Sequence, residues 1–182
     1  MTQDDSLKIS VYGPIGSGKS TLLVKFQEGI FDTDYDPTLE NTFRKVIKLK
    51  DRDIALEIHD TAGEDDLSPI QYGVIKDFDA LIFCYSITSR NGFEKLQKFY
   101  DEIQKKKGEI NCPICICGCQ CDLENQRAVT KYDGEELAKK FNGLFFETSA
   151  KTNENIDAMF TALAKIIIKK TSGKSGNCCC IY

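Results

Sequence analysis

Residues 13–20 read GPIGSGKS, which matches the pattern G-x-x-x-x-G-K-S of a loop that cradles phosphate groups. Residues 7–12, apolar at alternate positions, predict a buried strand before the loop, and residues 21–26 suit the inner face of a helix after it. A strand, a glycine loop and a helix N-terminus form an anion site, because free backbone N–H groups and the helix dipole both point at the ligand. We expect Lys19 to reach the β- and γ-phosphates of a nucleotide and the Ser20 hydroxyl to bind Mg²⁺. An ordinary glycine turn is the weaker alternative, since it does not require the Lys-Ser pair.

The composition is that of one folded domain with a basic end. The chain has 182 residues, of which 41% are hydrophobic and 29% charged. The polar, acidic residues 1–5 lead us to expect no signal peptide and no transmembrane span, and Thr2 excludes ordinary N-myristoylation. Residues 165–182 carry four lysines and no acid, so 20 basic and 28 acidic residues remain in the body. An acidic body argues against nucleic-acid binding, and a basic end favours a membrane surface, although lysines that complement a helix dipole explain part of it.

Strand-like and helix-like runs alternate from end to end. The predicted strands are 7–12, 42–49, 54–60, 79–86, 112–118 and 144–147, and the predicted helices are 19–28, about 70–77, 91–107, 131–141 and 154–169. Residues 50–53 are short enough for a hairpin, so one strand is antiparallel, and crossover helices make the other strands parallel. We predict an α/β fold with a six-stranded, mostly parallel sheet, one antiparallel edge strand and five helices. It forms one domain over residues 1–170, followed by a flexible tail at 171–182.

Further polar residues fall beyond the carboxyl ends of predicted strands, where open α/β sheets bind ligands. Asp60 ends the third strand and can hold Mg²⁺ through its water shell. Gly63 offers a backbone N–H to a γ-phosphate. Before the second strand, Pro37 stiffens a loop whose Thr38 hydroxyl can complete the magnesium shell.

Taken together, these motifs resemble those of the Ras-superfamily small GTPases, closest to the Ras branch. The resemblance covers nearly the whole chain and is carried by GPIGSGKS at 13–20, YDPTLE at 35–40, DTAG at 60–63, Asp122-Leu123, ETSAK at 147–151 and the cysteine-rich end. It implies a P-loop NTPase fold, the Ras-like G domain, that binds GTP and GDP with Mg²⁺. It also implies GTP hydrolysis and a role as a switch in signal transduction.

The resemblance further implies a set of site residues. Thr38 and Gly63 anchor two switch loops on the γ-phosphate, Phe31 packs edge-on against guanine, and residues 149–151 place a backbone N–H on the guanine oxygen. Catalytic contributions are expected from Lys19, Thr38, Gly63 and Glu64, and magnesium contacts from Ser20, Thr38 and, through water, Asp60. Nucleotide contacts are expected from Gly13, Ile15, Gly16, Ser17, Gly18, Lys19, Ser20, Thr21, Phe31, Tyr35, Pro37, Thr38, Gly63, Cys119, Gln120, Asp122, Leu123, Ser149, Ala150 and Lys151.

The expected partners follow from the same resemblance. Residues 35–40 and the loop after Gly63, switch II, are expected to bind effector proteins, the former through an exposed strand edge. Exchange factors and activating proteins are expected regulators, and nucleic acid is not an expected partner.

Two departures from the family pattern concern hydrolysis. The third position of the phosphate loop is normally glycine and here is Ile15, whose branched side chain obstructs the attacking water and an activating protein's arginine finger, worth about 10³–10⁵ in rate. The residue after DTAG is normally glutamine and here is Glu64, which cannot donate a hydrogen bond to the γ-phosphate and repels its developing charge. We predict weak intrinsic hydrolysis and poor stimulation. The alternative for Ile15 is that this position tolerates different residues without loss of rate. The alternative for Glu64 is that it belongs to a solvated acidic loop.

A third departure concerns recognition of the base. The family motif N-K-x-D aligns with Cys119-Gln120-Cys121-Asp122. Asp122 retains the carboxylate that accepts hydrogen bonds from guanine, whereas the asparagine and the lysine charge are gone. We predict retained guanine preference, lower affinity and faster exchange.

The chain has nine cysteines, five of them within residues 112–121. Every second residue from 115 to 121 is a cysteine, and sulfurs strung along one strand cannot converge on a tetrahedral zinc at about 2.3 Å each. We interpret Cys84, Cys115 and Cys117 as small buried hydrophobic residues. An oxidation-sensitive exchange switch at Cys119 and Cys121 is the less favoured interpretation.

The last four residues, CCIY, have the C-a-a-X form with Cys179 as prenyl acceptor. Cys178 and the nearby lysines supply the second signal that stable anchoring needs. We therefore expect a prenyl-anchored protein at the cytoplasmic face of a membrane with a soluble cytosolic pool. Unmodified terminal cysteines are the alternative, because tyrosine is unusual as the last residue.

The leading functional interpretation is a switch that couples its GTP/GDP state to effector binding at a membrane. One alternative is a pseudo-GTPase interaction module that binds nucleotide weakly or without cycling, which Glu64 and the altered guanine motif favour. Another is a P-loop kinase or ATPase, against which DTAG, YDPT and ETSAK argue.

Overall fold

The computed structural model describes residues 6–31, 40–50, 52–61 and 78–174. Within these residues the strands are β1 Leu7–Tyr12, β2 Glu40–Leu49, β3 Arg52–Thr61, β4 Ala80–Ser86, β5 Ile114–Cys119 and β6 Leu144–Thr148. The α-helices of the same ranges are α1 Lys19–Glu28, α2 Arg90–Lys107, α3 Lys131–Lys140 and α4 Ile156–Lys174, with a 3₁₀ turn at Glu124–Gln126.

The six strands form one sheet in the order β2-β3-β1-β4-β5-β6. Strands β2 and β3 are antiparallel partners, and Lys50, directly after β2, takes a left-handed conformation with φ of 53°. Every other neighbouring pair is parallel. The prediction of a mostly parallel sheet with one antiparallel edge strand is confirmed.

The helices agree with the predicted ones within a few residues, except at the end of the chain. Helix α4 runs to Lys174, beyond the predicted end at 169 and the domain boundary placed at 170. The Thr171 hydroxyl donates to the Ile167 carbonyl at 2.9 Å, so this threonine bonds back to its own helix instead of ending it. The predicted helix at about 70–77 and tail residues 175–182 lie outside the described residues.

Two apolar layers cover the faces of the sheet. Helices α1 and α4 pack on one face through residues such as Leu22, Phe26 and Phe160, and α2 and α3 cover the other with side chains that include Phe99. All seven residues of β4 are buried, as expected for a parallel strand covered on both faces. This sandwich fixes the carboxyl edge of the sheet, where the predicted site residues meet. No helix within the described ranges combines the length and apolarity that crossing a bilayer requires.

Candidate functional site

The loop at 13–20 connects β1 to α1 through glycines that two close approaches require. A Cβ atom at Gly13 would lie 2.2 Å from the Cys84 carbonyl oxygen, a backbone atom that cannot move aside. Gly18 caps helix α1 in the left-handed conformation, with φ of 89°, and a Cβ there would lie 3.1 Å from the Cys119 Cβ. The loop thus sits directly against the ends of β4 and β5.

Lys19, the first residue of α1, is buried beneath this loop with 5% of its surface exposed. Its Nζ donates to the carbonyl oxygens of Gly13 at 2.8 Å and Pro14 at 3.1 Å, and to the Ser17 hydroxyl at 3.3 Å. Burial lowers the pKa of Lys19, and neighbouring Cys84, Asp60 and Cys119 oppose that shift. The Lys19 ammonium is therefore held against the inner side of a loop whose backbone N–H groups favour binding of an anion.

Asp60, near the end of β3, is 1% exposed, and neither carboxylate oxygen makes a hydrogen bond of normal geometry to a described residue. Burial raises its pKa, while the Ser20 hydroxyl and the Lys19 ammonium act in the opposite direction. A buried carboxylate short of partners beside a hydroxyl is the hard oxygen set that Mg²⁺ prefers, so these residues fit the ion. Bound Mg²⁺ would neutralise phosphate charge there. Thr38, the third expected ligand, lies outside the described residues.

A cavity of about 340 Å³ opens beside the loop, and we call it the side pocket. It brings together the start of α1, the segment after it, and the carboxyl ends of β5 and β6. Its lining residues are Gly18, Thr21, Leu22, Phe31, Cys119, Gln120, Asp122, Leu123, Thr148, Ala150 and Lys151.

The polar wall of the side pocket is held by specific hydrogen bonds. The Ser149 hydroxyl donates to Asp122 Oδ1 at 2.6 Å, which fixes the carboxylate. Gln120 takes a left-handed conformation with φ of 64°, and its Oε1 accepts a hydrogen bond from the Ser86 hydroxyl. The Cys121 backbone N–H donates to the Thr148 carbonyl at 3.1 Å. The pocket therefore presents a positioned carboxylate and the aliphatic stem of Gln120 to its ligand.

An ion-pair network supports this wall from behind. Arg127 donates to Glu147 at 2.6 Å and to Glu124 at 2.7 Å. Asn155 Nδ2 donates to the Glu147 carbonyl at 2.8 Å. Because Glu147 lies on β6 and Arg127 follows the 3₁₀ turn, the network ties the segment after β5 to the strand beside it.

Ile15 stands apart from this packing. Ile15 and Gly16 form the turn at the tip of the phosphate loop, and the Ile15 side chain is 64% exposed. It is thus presented outward, away from the core.

Cys121 is poorly suited to the oxidation switch considered from the sequence. Burial and the neighbouring Glu154 raise the pKa of Cys121 to about 12, and a thiol reacts with oxidants through its thiolate. Cys84, Cys115 and Cys117 are fully buried free thiols, as predicted.

The predicted residues divide into two groups. The loop residues, Phe31, Asp60 and the residues at 119–123 and 149–151 lie together at the carboxyl edge of the sheet. Tyr35, Pro37, Thr38, Gly63, Glu64, Cys178 and Cys179 lie outside the described residues.

Sequence reasoning missed Ser86, Leu22 and Thr148. Ser86 ends β4 and Thr148 ends β6, so the rule that ligands bind beyond the carboxyl ends of strands points to both. Leu22 follows the recognised motif, and its contact with the pocket depends on the packing of α1.

The loop and the buried lysine lie where the strand order of the sheet reverses, between β1 and β4, and the side pocket opens beside them. Together these features define a P-loop nucleotide-binding domain. The model of the Ras family matches residues 8–169. The chain belongs to the Ras family, whose members are GTP-binding switches and GTPases that generally use Mg²⁺.

Similar proteins come from several organisms. The chain is 39% identical over 160 residues to Ras-like protein 1 of Saccharomyces cerevisiae, covering 88% of this chain and 52% of that protein. It is 37% identical over 167 residues to the GTP-binding protein Rheb homolog of Drosophila melanogaster, covering 91% and 90%. It is 37% identical over 177 residues to Ras-like protein rasB of Dictyostelium discoideum, covering 96% and 90%. The chain thus spans about half the length of the yeast relative and most of the other two.

Proposed function

We propose that this protein is a guanine-nucleotide switch with weak GTP hydrolysis. The observation that carries the proposal is the placement of Ile15 at the tip of the phosphate loop with 64% of its surface exposed. A branched side chain at this turn stands where the γ-phosphate, the attacking water and a partner's arginine must approach. Because the loop backbone holds the turn in place, the Ile15 side chain would obstruct these groups before the reaction begins.

Glu64 strengthens the proposal on chemical grounds. A carboxylate accepts a hydrogen bond from water but offers none to the γ-phosphate, and its charge opposes the charge that develops during transfer. Removal of either departure alone therefore restores only part of the rate.

Guanine is the proposed base because Asp122 is fixed in the side pocket by Ser149. A carboxylate accepts from the two donors of the guanine edge, and adenine offers a different pattern. Cys119 and Gln120 provide neither an amide donor from the first position nor a charge from the second, so we expect weaker binding than the family pattern provides.

The proposed site of action is a membrane surface. The C-terminal cysteines, with Cys179 as prenyl acceptor and Cys178 as second acylation site, and the lysines before them support anchoring at the cytoplasmic face of a membrane with a cytosolic pool. Effectors would engage residues 35–40, which lead into the edge strand β2, and switch II. Exchange factors and activating proteins complete the proposed partners.

Single-turnover GTP hydrolysis with Mg²⁺ tests the central point. We expect Ile15→Gly and Glu64→Gln each to raise the rate and the double variant to raise it by about 10-fold or more, since about 1.4 kcal/mol of barrier corresponds to tenfold. Ile30→Gly is the matched control, because Ile30 is also exposed but lies outside the loop. A double variant no faster than the unaltered protein would contradict the proposal.

The nucleotide that co-purifies with protein made without added ligand separates the alternatives. Bound GTP supports a GTP-biased switch. A chain with nothing bound, and no measurable GDP affinity, would instead favour the pseudo-GTPase module. Bound adenine nucleotide would overturn the assignment of the base.

A further inference from the structure

Three buried thiols lie together beneath the phosphate loop. The Sγ atoms of Cys84, Cys117 and Cys119 all lie within 4.8 Å of one another, and those of Cys117 and Cys119 are 3.8 Å apart. The cluster spans two strands, since Cys84 on β4 is the register partner of Cys117 on β5. Cys117 and Cys119 thus supply two converging sulfurs from one strand, and the neighbouring strand supplies the third from the side.

The sulfur separations match those of a metal–thiolate centre. With metal–sulfur bonds of about 2.3 Å, a planar three-coordinate centre places its sulfurs about 4.0 Å apart and a tetrahedral centre about 3.8 Å apart. The Cys117–Cys119 separation of 3.8 Å already lies in this range, and the remaining sulfur separations, all within 4.8 Å, need to shorten by less than about 1 Å to reach it. Packing alone needs no such convergence of three polarizable atoms.

The number of ligands selects the kind of ion. Among the described residues the group contains three cysteines, without a His, Asp, Glu or further Cys. Structural zinc sites are almost always four-coordinate, whereas soft thiolates also suit Cu⁺, a closed-shell ion that accepts three ligands. We propose that Cys84, Cys117 and Cys119 bind one Cu⁺ ion in a three-coordinate thiolate site reached through the side pocket.

A neighbouring cation compensates part of the charge. Three thiolates around Cu⁺ carry a net charge of −2, and three thiol protons pass to solvent when the ion enters. Lys19 lies close enough to Cys84 and Cys119 for their charges to interact. A buried anionic centre needs such a partner, because desolvation of an unpaired charge is costly.

The route to the site passes through the pocket proposed for the nucleotide, so this part rests on the proposed function. Cys84 and Cys117 have no exposed surface, whereas Cys119 is 3% exposed and lines the side pocket. A nucleotide in that pocket would cover Cys119. Copper uptake should therefore be faster in nucleotide-free protein than in protein loaded with GDP.

The test uses the reduced full-length protein with Cys178→Ser, Cys179→Ser and Cys180→Ser, which removes tail thiols that would compete for copper. Cu⁺ is supplied without oxygen as the complex of a chromophoric chelator, and its transfer to protein is followed by absorbance. We expect one tightly held Cu⁺ per chain and a loss of affinity of at least about 10-fold in Cys84→Ser and in Cys117→Ser. X-ray absorption should show three sulfur ligands.

Cys115→Ser is the matched control, because Cys115 is fully buried on the same strand but lies outside the cluster. It should retain Cu⁺, and circular dichroism should show that all three variants remain folded. Equal copper affinity in Cys84→Ser and the parent, equal loss in Cys115→Ser, or preferential retention of Zn²⁺ would overturn the site. Uptake rates that do not depend on GDP would overturn the route, and GDP binding measured in the same samples reports the proposed function separately.

Discussion

The phosphate-binding loop and the side pocket meet at Gly18, yet they depart from the family pattern in different ways. In the loop, the residues that shape the backbone and hold charge are all present, and the departure, Ile15, points outward. In the side pocket, Cys119 and Gln120 replace the asparagine and lysine of the family motif N-K-x-D, while Asp122 is retained and accepts a hydrogen bond from Ser149. Backbone geometry builds the loop and leaves little room for substitution, whereas side chains build the pocket and can be exchanged one at a time.

The largest expected effect comes from removal of the loop cation. Lys19→Ala should weaken binding of GDP and GTP by about 100-fold or more, because charged hydrogen bonds to phosphate are worth about 1.5–3 kcal/mol each. Equilibrium titration with a fluorescent nucleotide measures the loss. Lys25→Ala, which alters an exposed lysine of the same helix that bonds to the Gly29 carbonyl, should bind normally. Equal affinities for the Lys19 variant and the parent would show that the phosphates bind elsewhere.

Replacement of the pocket carboxylate should change selectivity more than affinity for phosphate. Asp122→Ala is expected to lower the preference for GDP over ADP by about 10- to 100-fold, since it removes a charged acceptor from the base edge. Competition between the two nucleotides on one sample measures the ratio. Glu136→Ala removes an exposed carboxylate on α3, outside the side pocket and its supporting network, and should leave the ratio unchanged. An unaltered ratio in the Asp122 variant would place base recognition on other groups.

Restoring the family residues in the side pocket should bring its affinity for the base closer to that expected of the family pattern. Cys119→Asn with Gln120→Lys is expected to tighten GDP binding by about 10-fold, because an amide donor and a positive charge return to the pocket wall. The GDP dissociation rate is the measurement, and most of the gain should appear there. Faster dissociation from the double variant would indicate that the cysteine and glutamine are themselves adapted to the ligand.

The smallest expected effect concerns a helix cap that lies outside both the phosphate-binding loop and the side pocket. Thr130 and Asp133 form a capping box at the start of α3, and its loss in Thr130→Ala should lower the free energy of unfolding by about 1 kcal/mol. The hydrogen bond from the Thr130 side chain is the main cause of the lowered pKa of Asp133, with Arg90 adding to it. The Asp133 side chain is partly exposed, at 29%, and solvent screens its interactions, so its share of the stability is modest.

The sign of the pH dependence follows from that lowered pKa. The contribution of ionised Asp133 is present above the ordinary aspartate pKa of about 4 and is lost as the pH falls through its lower folded value. The stability gap between the parent and Thr130→Ala should therefore shrink at acidic pH, as urea unfolding at several pH values would show. A gap that widens on acidification would contradict the role of the carboxylate, and nucleotide affinity near pH 7 should not change.

Much of the fold follows from local sequence signals. The span of α1 agrees with the sequence prediction at both ends, and β1 does as well, because the glycine loop between them marks both boundaries. The end of α4 was missed, since two lysines and a run of small polar residues resemble a helix stop, while a threonine that bonds back to its own helix continues it. The cysteine cluster depends on the β4–β5 register, which pairs residues far apart in the chain. A local sequence pattern does not show how close the sulfur atoms of two different strands lie. The sequence therefore identified the cysteines but not the approach of their sulfurs to one another.

The contact between Gly13 and the Cys84 carbonyl also bears on how this chain can evolve. Any single codon change that adds a side chain at position 13 places an atom 2.2 Å from fixed backbone, so such changes are expected to be removed with the fold itself. At position 15, two residues along the same loop, a side chain meets solvent, so replacement there is expected to change the rate of hydrolysis without endangering the fold. We therefore expect evolution to be able to change the rate of hydrolysis through substitutions at Ile15, whereas substitutions at Gly13 are not tolerated.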